Sequence, residues 1–181
     1  IIISDYELVE NPLLGFFVRS AEQNFCPCCG GPLKVIGSRK RKYLNDAGEG
    51  TVLVIRRLKC EQCRRIHHEL PDILVPYKRY ASECIESVIS EDKVITVAAD
   101  ESTIRRWKAW FKGVAPYWAG CLNSLSVLYG SESVVDPSNL PKSALQRILH
   151  YVGYACLWLA RVVRTLTNKN LWVHTRSAFL S

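Results

Sequence analysis

A chain of 181 residues is long enough for one large domain or two small ones, and its 24 Lys and Arg against 17 Asp and Glu give a formal charge of +7. That balance argues against cationic partners and for a polyanionic one, nucleic acid foremost. One zinc ion held by four thiolates lowers the charge only to about +5, so a basic surface remains.

In chain order, Ile1-Ile2-Ile3 reads as a strand, and residues 11–18 as a short helix or turn packing its aromatics against the cysteine-bearing segment. Residues 1–24 are acidic, with Asp5, Glu7, Glu10 and Glu22 against Arg19 alone, and carry no recognisable chemistry. Nothing resembling a secretory signal precedes the cysteines, and a start at Ile1 suggests further residues upstream, so a cytoplasmic setting is expected.

The next stretch organises the chain. Cys26-Pro27-Cys28-Cys29-Gly30-Gly31 is answered by Cys60-Glu61-Gln62-Cys63. Two CxxC pairs, Cys26/Cys29 and Cys60/Cys63, place four thiolates where one zinc ion can gather them into a tetrahedron. The thirty residues between the pairs are too many for a compact finger. They suit a zinc ribbon, in which hairpins hang from two knuckles and the metal supplies much of the folding energy. Cys28 competes with Cys29 as a ligand, although the CxxC spacing followed by glycine favours Cys29. Iron in a rubredoxin-like redox site is the rival metal, and disulfides or buried apolar cysteines are the metal-free alternative. His67 and His68 read as hairpin or surface residues, because four cysteines already close the shell.

Residues 33–36, 38–44, 51–59 and 65–70 read as four strands around a turn-rich loop at 45–50. Between Lys34 and Arg65 lie ten basic residues and three acidic ones. Arg39-Lys40-Arg41-Lys42 alternates across its strand, two side chains to each face. Solubility and edge protection are the plain account. With Arg56, Arg57, Lys59, Arg64 and Arg65 nearby, phosphate contact is the stronger one. Residues 71–80, with Pro71 and Pro76, form an extended connector.

From Ala81 the pattern turns helical, with Ile85, Val88 and Ile89 at i, i+3 and i+4. The β-branched run at 94–97 suits a strand or a short helix. Asp100 or Ser102 then caps a helix whose apolar stripe is Ile104, Trp107 and Phe111. Thr103, Arg105, Arg106, Lys108 and Lys112 fall largely outside that stripe, as on a recognition helix that reaches base edges and phosphates. An amphipathic helix with a solvated basic face is the plainer account. Gly113 and Pro116 are expected to end the helix, and 117–129 to form another through Trp118, Leu122, Leu125 and Leu128. Residues 130–139 read as a polar loop. A last long helix is expected from near Pro141 to about Thr167, apolar nearly all round between Ile148 and Ala160. Those thirteen residues, bracketed by Arg147, Arg161 and Arg164, are too few to cross a bilayer and suit a buried helix or an oligomer interface. Residues 171–176 read as a short closing segment.

The order of parts, a CPxCG knuckle, basic hairpins, CxxC, a proline-bounded connector and a Ser-Thr-Ile-Arg-Arg-Trp helix, resembles the N-terminal DNA-binding region of bacterial insertion-sequence transposases over residues 25–113. Arg65-Ile66-His67-His68-Glu69-Leu70-Pro71-Asp72 with Val75-Pro76-Tyr77-Lys78-Arg79-Tyr80 is more closely similar to an uncharacterised family of small bacterial zinc-ribbon proteins, over most of the chain. The transposase resemblance implies recognition of element ends, with Thr103, Arg105 and Arg106 on DNA. Two features depart from it: no clear helix-and-glycine-turn unit precedes Ser102, and no long catalytic domain comes after the helix. Beyond Glu101 only Glu132 and Asp136 remain as carboxylates, in a loop, so two-metal strand transfer is not expected.

The expected fold is therefore α+β: a β-rich zinc ribbon (25–70) with residues 1–24 packed on it, a connector (71–80), a helix-turn-helix-like region (81–113) and a helical region with a long C-terminal helix (114–181). The expected function is a non-enzymatic, sequence-specific DNA-binding protein serving a mobile element or transcription. It would hold one structural zinc on Cys26, Cys29, Cys60 and Cys63. Double-stranded DNA would lie on Arg39, Arg41, Arg56, Arg57, Ser102, Thr103, Arg105, Arg106 and Lys108. A transposase, a recombinase or a second copy meeting the C-terminal helix are further expected partners, and no membrane. The alternative is a protein–protein adaptor using the ribbon and that apolar helix.

Overall fold

The computed structural model describes residues 1–91, 97–130 and 141–172. Strands come first: β1 (Ile2–Ile3), β2 (Glu7–Asn11), β3 (Gly15–Arg19), β4 (Leu33–Leu44), β5 (Gly50–Cys60), β6 (Ile66–His68) and β7 (Leu70–Pro71). Helices come after them: α1 (Ser82–Ser90), α2 (Glu101–Leu128), α3 (Ala144–Val152) and α4 (Trp158–Asn168). The chain is mixed α+β, as expected.

β5, rich in β-branched and apolar residues, is the centre of the main sheet. β4 lies antiparallel along one edge of it from Leu44↔Gly50 to Leu33↔Cys60. The other edge is shared by β3, parallel at Leu53 and Val54, and β6, antiparallel from Arg57 to Lys59. Residues 11–18 form no helix. Asn11 turns the chain, its side-chain oxygen accepting from the Leu13 and Leu14 N–H groups at 3.0 Å, and β3 returns antiparallel to β2. The N-terminal segment thus extends the sheet. The two strands expected at 33–36 and 38–44 are one strand with a bulge between Val35 and Gly37, where Gly37 takes a φ of 144° that a side chain would resist.

A two-stranded parallel ladder of β1 and β7 is the seam between two cores. Successive strand residues point to opposite sides. Ile3 joins Val18, Leu53, Ile55 and Leu74 under the sheet, while Ile2 joins the helical core. Asn168 of α4 holds Ile2 by its backbone, accepting from its N–H and donating to its carbonyl, both at 2.8 Å.

α2 departs from expectation. It runs unbroken through Gly113 and Pro116, because Trp107, Trp110, Val114, Ala115, Trp118, Ala119 and Leu122 form one buried face on both sides of the proline. Burying that face outweighs the roughly 3 kcal/mol that an interior proline costs. Trp118, fully buried, sits edge-on to Trp110 at 5.3 Å between ring centroids and lies 5.5 Å from Trp172. Residues 91–100 separate α1 from α2, against about three or four in a helix-turn-helix. Of the run at 94–97 only Val97 is described, and the loop at 131–139, with Glu132 and Asp136, and the tail beyond Trp172 also lie outside the described residues.

The expected long C-terminal helix is two. α3 stops at Gly153, with φ of 87°, and α4 starts after Leu157, with φ of 64°. Two charged side chains satisfy the backbone groups this break exposes. The Arg161 guanidinium donates to the carbonyls of Val152, Ala155 and Cys156 at 2.7 Å and of Gly153 at 3.2 Å. From α1, the buried Glu86 carboxylate accepts from the Leu157 and Leu159 N–H groups at 2.7 and 2.8 Å, capping α4 and meeting the positive end of its dipole. α4 then buries Trp158, Leu159, Ala160, Val162, Val163 and Leu166 inside this chain's own core. No helix among the described residues is long and apolar enough to cross a membrane.

Glu86 thus clamps α1 to α4. Glu86→Ala leaves the N–H groups it bonded without an acceptor and is expected to destabilise the protein by about 2–4 kcal/mol, read from urea denaturation. An unchanged midpoint would remove the clamp.

Candidate metal centre and basic face

The two knuckles are backbone copies of each other. In the first, the Cys26 N–H donates to the Gly31 carbonyl at 2.9 Å and the Gly30 N–H to the Cys26 carbonyl at 2.8 Å. In the second, the Cys60 N–H donates to the Arg65 carbonyl at 2.9 Å and the Arg64 N–H to the Cys60 carbonyl at 3.1 Å. Each turn closes on a left-handed residue directly after its second ligand, Gly30 with φ of 73° and Arg64 with φ of 64°. Glycine adopts that conformation freely, whereas arginine resists it.

Both knuckles are set by the sheet. β4 begins just after the first and β5 ends in the second, so the ladder that pairs Leu33 with Cys60 draws them together. The Sγ atoms of Cys26, Cys29, Cys60 and Cys63 all lie within 4.8 Å of one another. Cys26 is 3.5 Å from Cys63, and Cys29 is 3.5 Å from Cys60. A zinc tetrahedron with bonds of about 2.3 Å has sulfur–sulfur edges of about 3.8 Å, so this donor set fits zinc. None of the eight cysteines is joined in a disulfide.

Cys28 stands outside this group of four. Its sulfur accepts from Arg65 Nη1 at 3.2 Å and lies 3.7 Å from Asn170 Oδ1. His67 comes closer than a surface residue would. It is half-buried, with Nε2 at 3.3 Å from the Cys26 sulfur, and burial first, then nearby positive charge that includes Arg65, hold its pKa below the usual value. Cys26, Cys28 and His67 form a second, three-member donor group around the shared sulfur. The spacing of His67 from Cys63 was the only sequence signal of that approach.

The basic residues fall into three settings. Arg56 is committed inside the fold: it forks onto the buried Glu69 carboxylate, with Nη2 to Oε1 at 2.8 Å, and also donates to the Ser20 carbonyl at 3.2 Å. Sequence reasoning passed over Glu69, a single carboxylate in a basic stretch. Arg39, Lys40 and Lys42 are exposed on β4, while Arg41 is half-buried and donates to the Lys78 carbonyl at 2.7 Å. Ladder partners share a face, so Arg39 (opposite Ile55), Arg41 (opposite Leu53), Arg57 and His68 lie on one side of the sheet, and Lys40, Lys42 and Arg56 on the other.

The third setting is the start of α2. Asp100 is its N-cap, accepting from the Thr103 N–H at 2.8 Å and from the Ser102 and Thr103 hydroxyls. These bonds hold its carboxyl at about 2, below the usual range. Arg106 folds back on the Ser102 carbonyl and hydroxyl and on Thr103, and Lys108 pairs with Glu91 at 3.2 Å. Arg105 is exposed.

Purified protein is expected to hold one zinc per chain. Serine at Cys26, Cys29, Cys60 or Cys63 should release it, and Cys28→Ser should keep it, as read by metal analysis and by the absorption of the cobalt-substituted protein. Loss of metal in Cys28→Ser would make Cys28 a ligand, and coloured protein as purified would indicate iron. Arg64→Gly, which relieves the left-handed arginine, is expected to raise the unfolding free energy of the metal-loaded protein by about 0.5–1 kcal/mol. A fall instead would show that the Arg64 side chain holds the knuckle.

Residues 26–107 match the family described as a domain of unknown function (DUF6431). The match starts at the first ligand and ends inside α2, so it takes in both knuckles, the strands between them, the connector and α1. No curated protein and no solved structure matches the chain.

Proposed function

We propose that this chain is a DNA-binding protein in which a structural zinc ribbon presents a basic sheet to the phosphate backbone, serving a mobile element or transcriptional control. The observation that carries the reading is β4. It is an outer strand of the sheet, its Arg39, Lys40 and Lys42 are exposed, and its first residue comes just after a metal knuckle that fixes its position. An array of cations on a pinned strand favours a polyanion, since each phosphate it neutralises releases condensed counterions. Arg57 on β5 shares the side of Arg39, while Lys40 and Lys42 occupy the other side of this edge strand, and Arg105, Arg106 and Lys108 add a second basic element at the start of α2. Base reading there requires Arg106 to exchange its bonds to Ser102 and Thr103 for base edges, so phosphates hold the protein first and α2 discriminates second.

The adaptor reading relied on an apolar C-terminal helix available to a partner. α4 packs that face within the chain, which favours the DNA reading over it.

Selection from random duplex DNA by zinc-loaded protein at two salt concentrations should enrich a motif, and that enrichment should vanish when Arg105 and Arg106 become alanine. Replacing Arg39, Lys40 and Lys42 by alanine should flatten the dependence of log affinity on log salt by about 0.9 for each phosphate no longer neutralised. Arg56→Ala should act differently, lowering stability by about 3 kcal/mol because buried Glu69 is left without its counter-ion. No enrichment at either salt, from folded protein holding one zinc, would overturn the DNA reading.

A further inference from the structure

Between the sheet and the end of α4 lies a cleft of about 470 Å³, within the size range of small-ligand sites. Arg39, Arg41 and His68 of the sheet line it together with Tyr77, Thr167 and Trp172. Three features of this cleft suit a ligand that carries a phosphate and a flat ring.

The first is unbalanced charge. Arg39 and Arg41 line the cleft with His68, and Arg57 pairs with His68 across the ladder, so the charge of three guanidinium groups bears on one imidazole. No carboxylate lines the cleft among the described residues. Glu69, next to His68 in the chain, is taken by Arg56. Burial, then Arg39 and Arg57, push His68 below its usual pKa, and burial followed by Arg39 pushes Arg41 down. Each group is therefore a cation, or a neutral donor, held near others that repel it.

The second is an unsatisfied donor. The Thr167 hydroxyl is buried at the cleft wall without a hydrogen-bond partner. Such a group costs free energy until something bonds it.

The third is aromatic surface. Tyr77 is 65% exposed and is held at a φ of 66°. An aromatic residue seldom adopts that left-handed conformation, and backbone strain of this kind concentrates at ligand sites.

We propose that this cleft binds a nucleoside monophosphate group, with Arg39, Arg41 and His68 around the phosphate and Tyr77 against the base. The ligand is either a free nucleotide or the 5′-phosphorylated end of a nucleic-acid strand. Both offer the same anion for a guanidinium fork and the same π-face for stacking. The proposal shares Arg39 and Arg41 with the duplex reading but does not need a duplex.

The test uses the zinc-loaded full chain and calorimetric titration with five probes: inorganic phosphate, AMP, a short single strand with a 5′-phosphate, the same strand without it, and a duplex closed by hairpins at both ends. AMP or the phosphorylated strand should bind at least about tenfold more tightly than the unphosphorylated strand, the size of one missing charge-assisted bond. Arg39→Ala, which removes an exposed side chain, should weaken that binding about tenfold, and Thr167→Val, which keeps the shape, severalfold. AMP binding more tightly than the phosphorylated strand identifies a free nucleotide as the ligand, and the reverse identifies a strand end. Equal binding of inorganic phosphate and AMP would overturn the role of Tyr77. Affinities unchanged in both variants would overturn the location. No binding of any phosphorylated probe, with the closed duplex still bound, would overturn this proposal and leave the duplex reading standing. Nucleotide binding without closed-duplex binding would do the opposite.

Discussion

Four sulfur atoms within 4.8 Å of one another are the constraint on which the rest of this molecule depends. As thiolates they repel, and as thiols they gain little from meeting, so the cluster suits a cation that would hold them. The consequence reaches beyond the ribbon. β5 ends in the second knuckle and β4 starts just past the first, so a metal bound there would fix the register of the longest ladder among the described residues. β3 and β6 share the remaining edge of β5, and β1 and β7 close the seam to the helices. In a strand pair a slip of one residue would turn every side chain to the other face. Here it would carry Leu53 and Ile55 out of the core and turn Val54 and Arg56 toward it.

Away from the metal, the fold is fastened by single charged side chains serving exposed backbone or a buried counter-ion. Glu86 caps α4 from α1, Arg161 gathers the carbonyls left where α3 ends, and Glu22 accepts from the N–H groups of Ser4 and Asp5 while pairing with Arg164 at 3.0 Å. Glu86 and the Glu22–Arg164 pair join segments far apart in sequence, whereas Arg161 closes a local break. Such groups are stabilising only with every partner in place, since a buried carboxylate or N–H left alone costs more than the bond contributes. They make the helical half a unit with the N-terminal strands, although the sequence reads as separate modules.

The same contrast explains what could be read beforehand. The metal site was legible because a ligand set depends on spacing along the chain, and CxxC spacing dictates a knuckle whatever surrounds it. The Asp100 cap was legible for the same reason, its partner being three residues away. The course of α2 through Pro116 was not, because the decision lies with Trp107, Trp118 and the helices that cover them. Nor was the break between α3 and α4, where no proline intervenes and Glu86, 71 residues before Leu157, decides the helix start. At the site, Arg56 looked equivalent to Arg57. Neighbouring strand residues face opposite ways, and only the fold shows that one meets Glu69 and the other His68.

That alternation also decides where a ligand gains most. On the Arg56 side a buried carboxylate balances the guanidinium, and the pair contributes to the fold. On the Arg57 side, Arg39, Arg41 and His68 line a cleft that has no carboxylate among the described residues, and Arg41 is half-buried with a backbone carbonyl as its acceptor. Bringing like charges together at a partly desolvated surface opposes folding. The arrangement persists because the two cores fix the strands that carry it, and a metal in the cysteine cluster would add to that. An anion entering the cleft relieves that repulsion without moving the backbone, so its binding free energy is not diminished by ordering the site. In this reading the zinc ribbon and the basic cleft are one device: the metal supplies the rigidity that keeps the cations together, and the uncompensated cations supply the affinity.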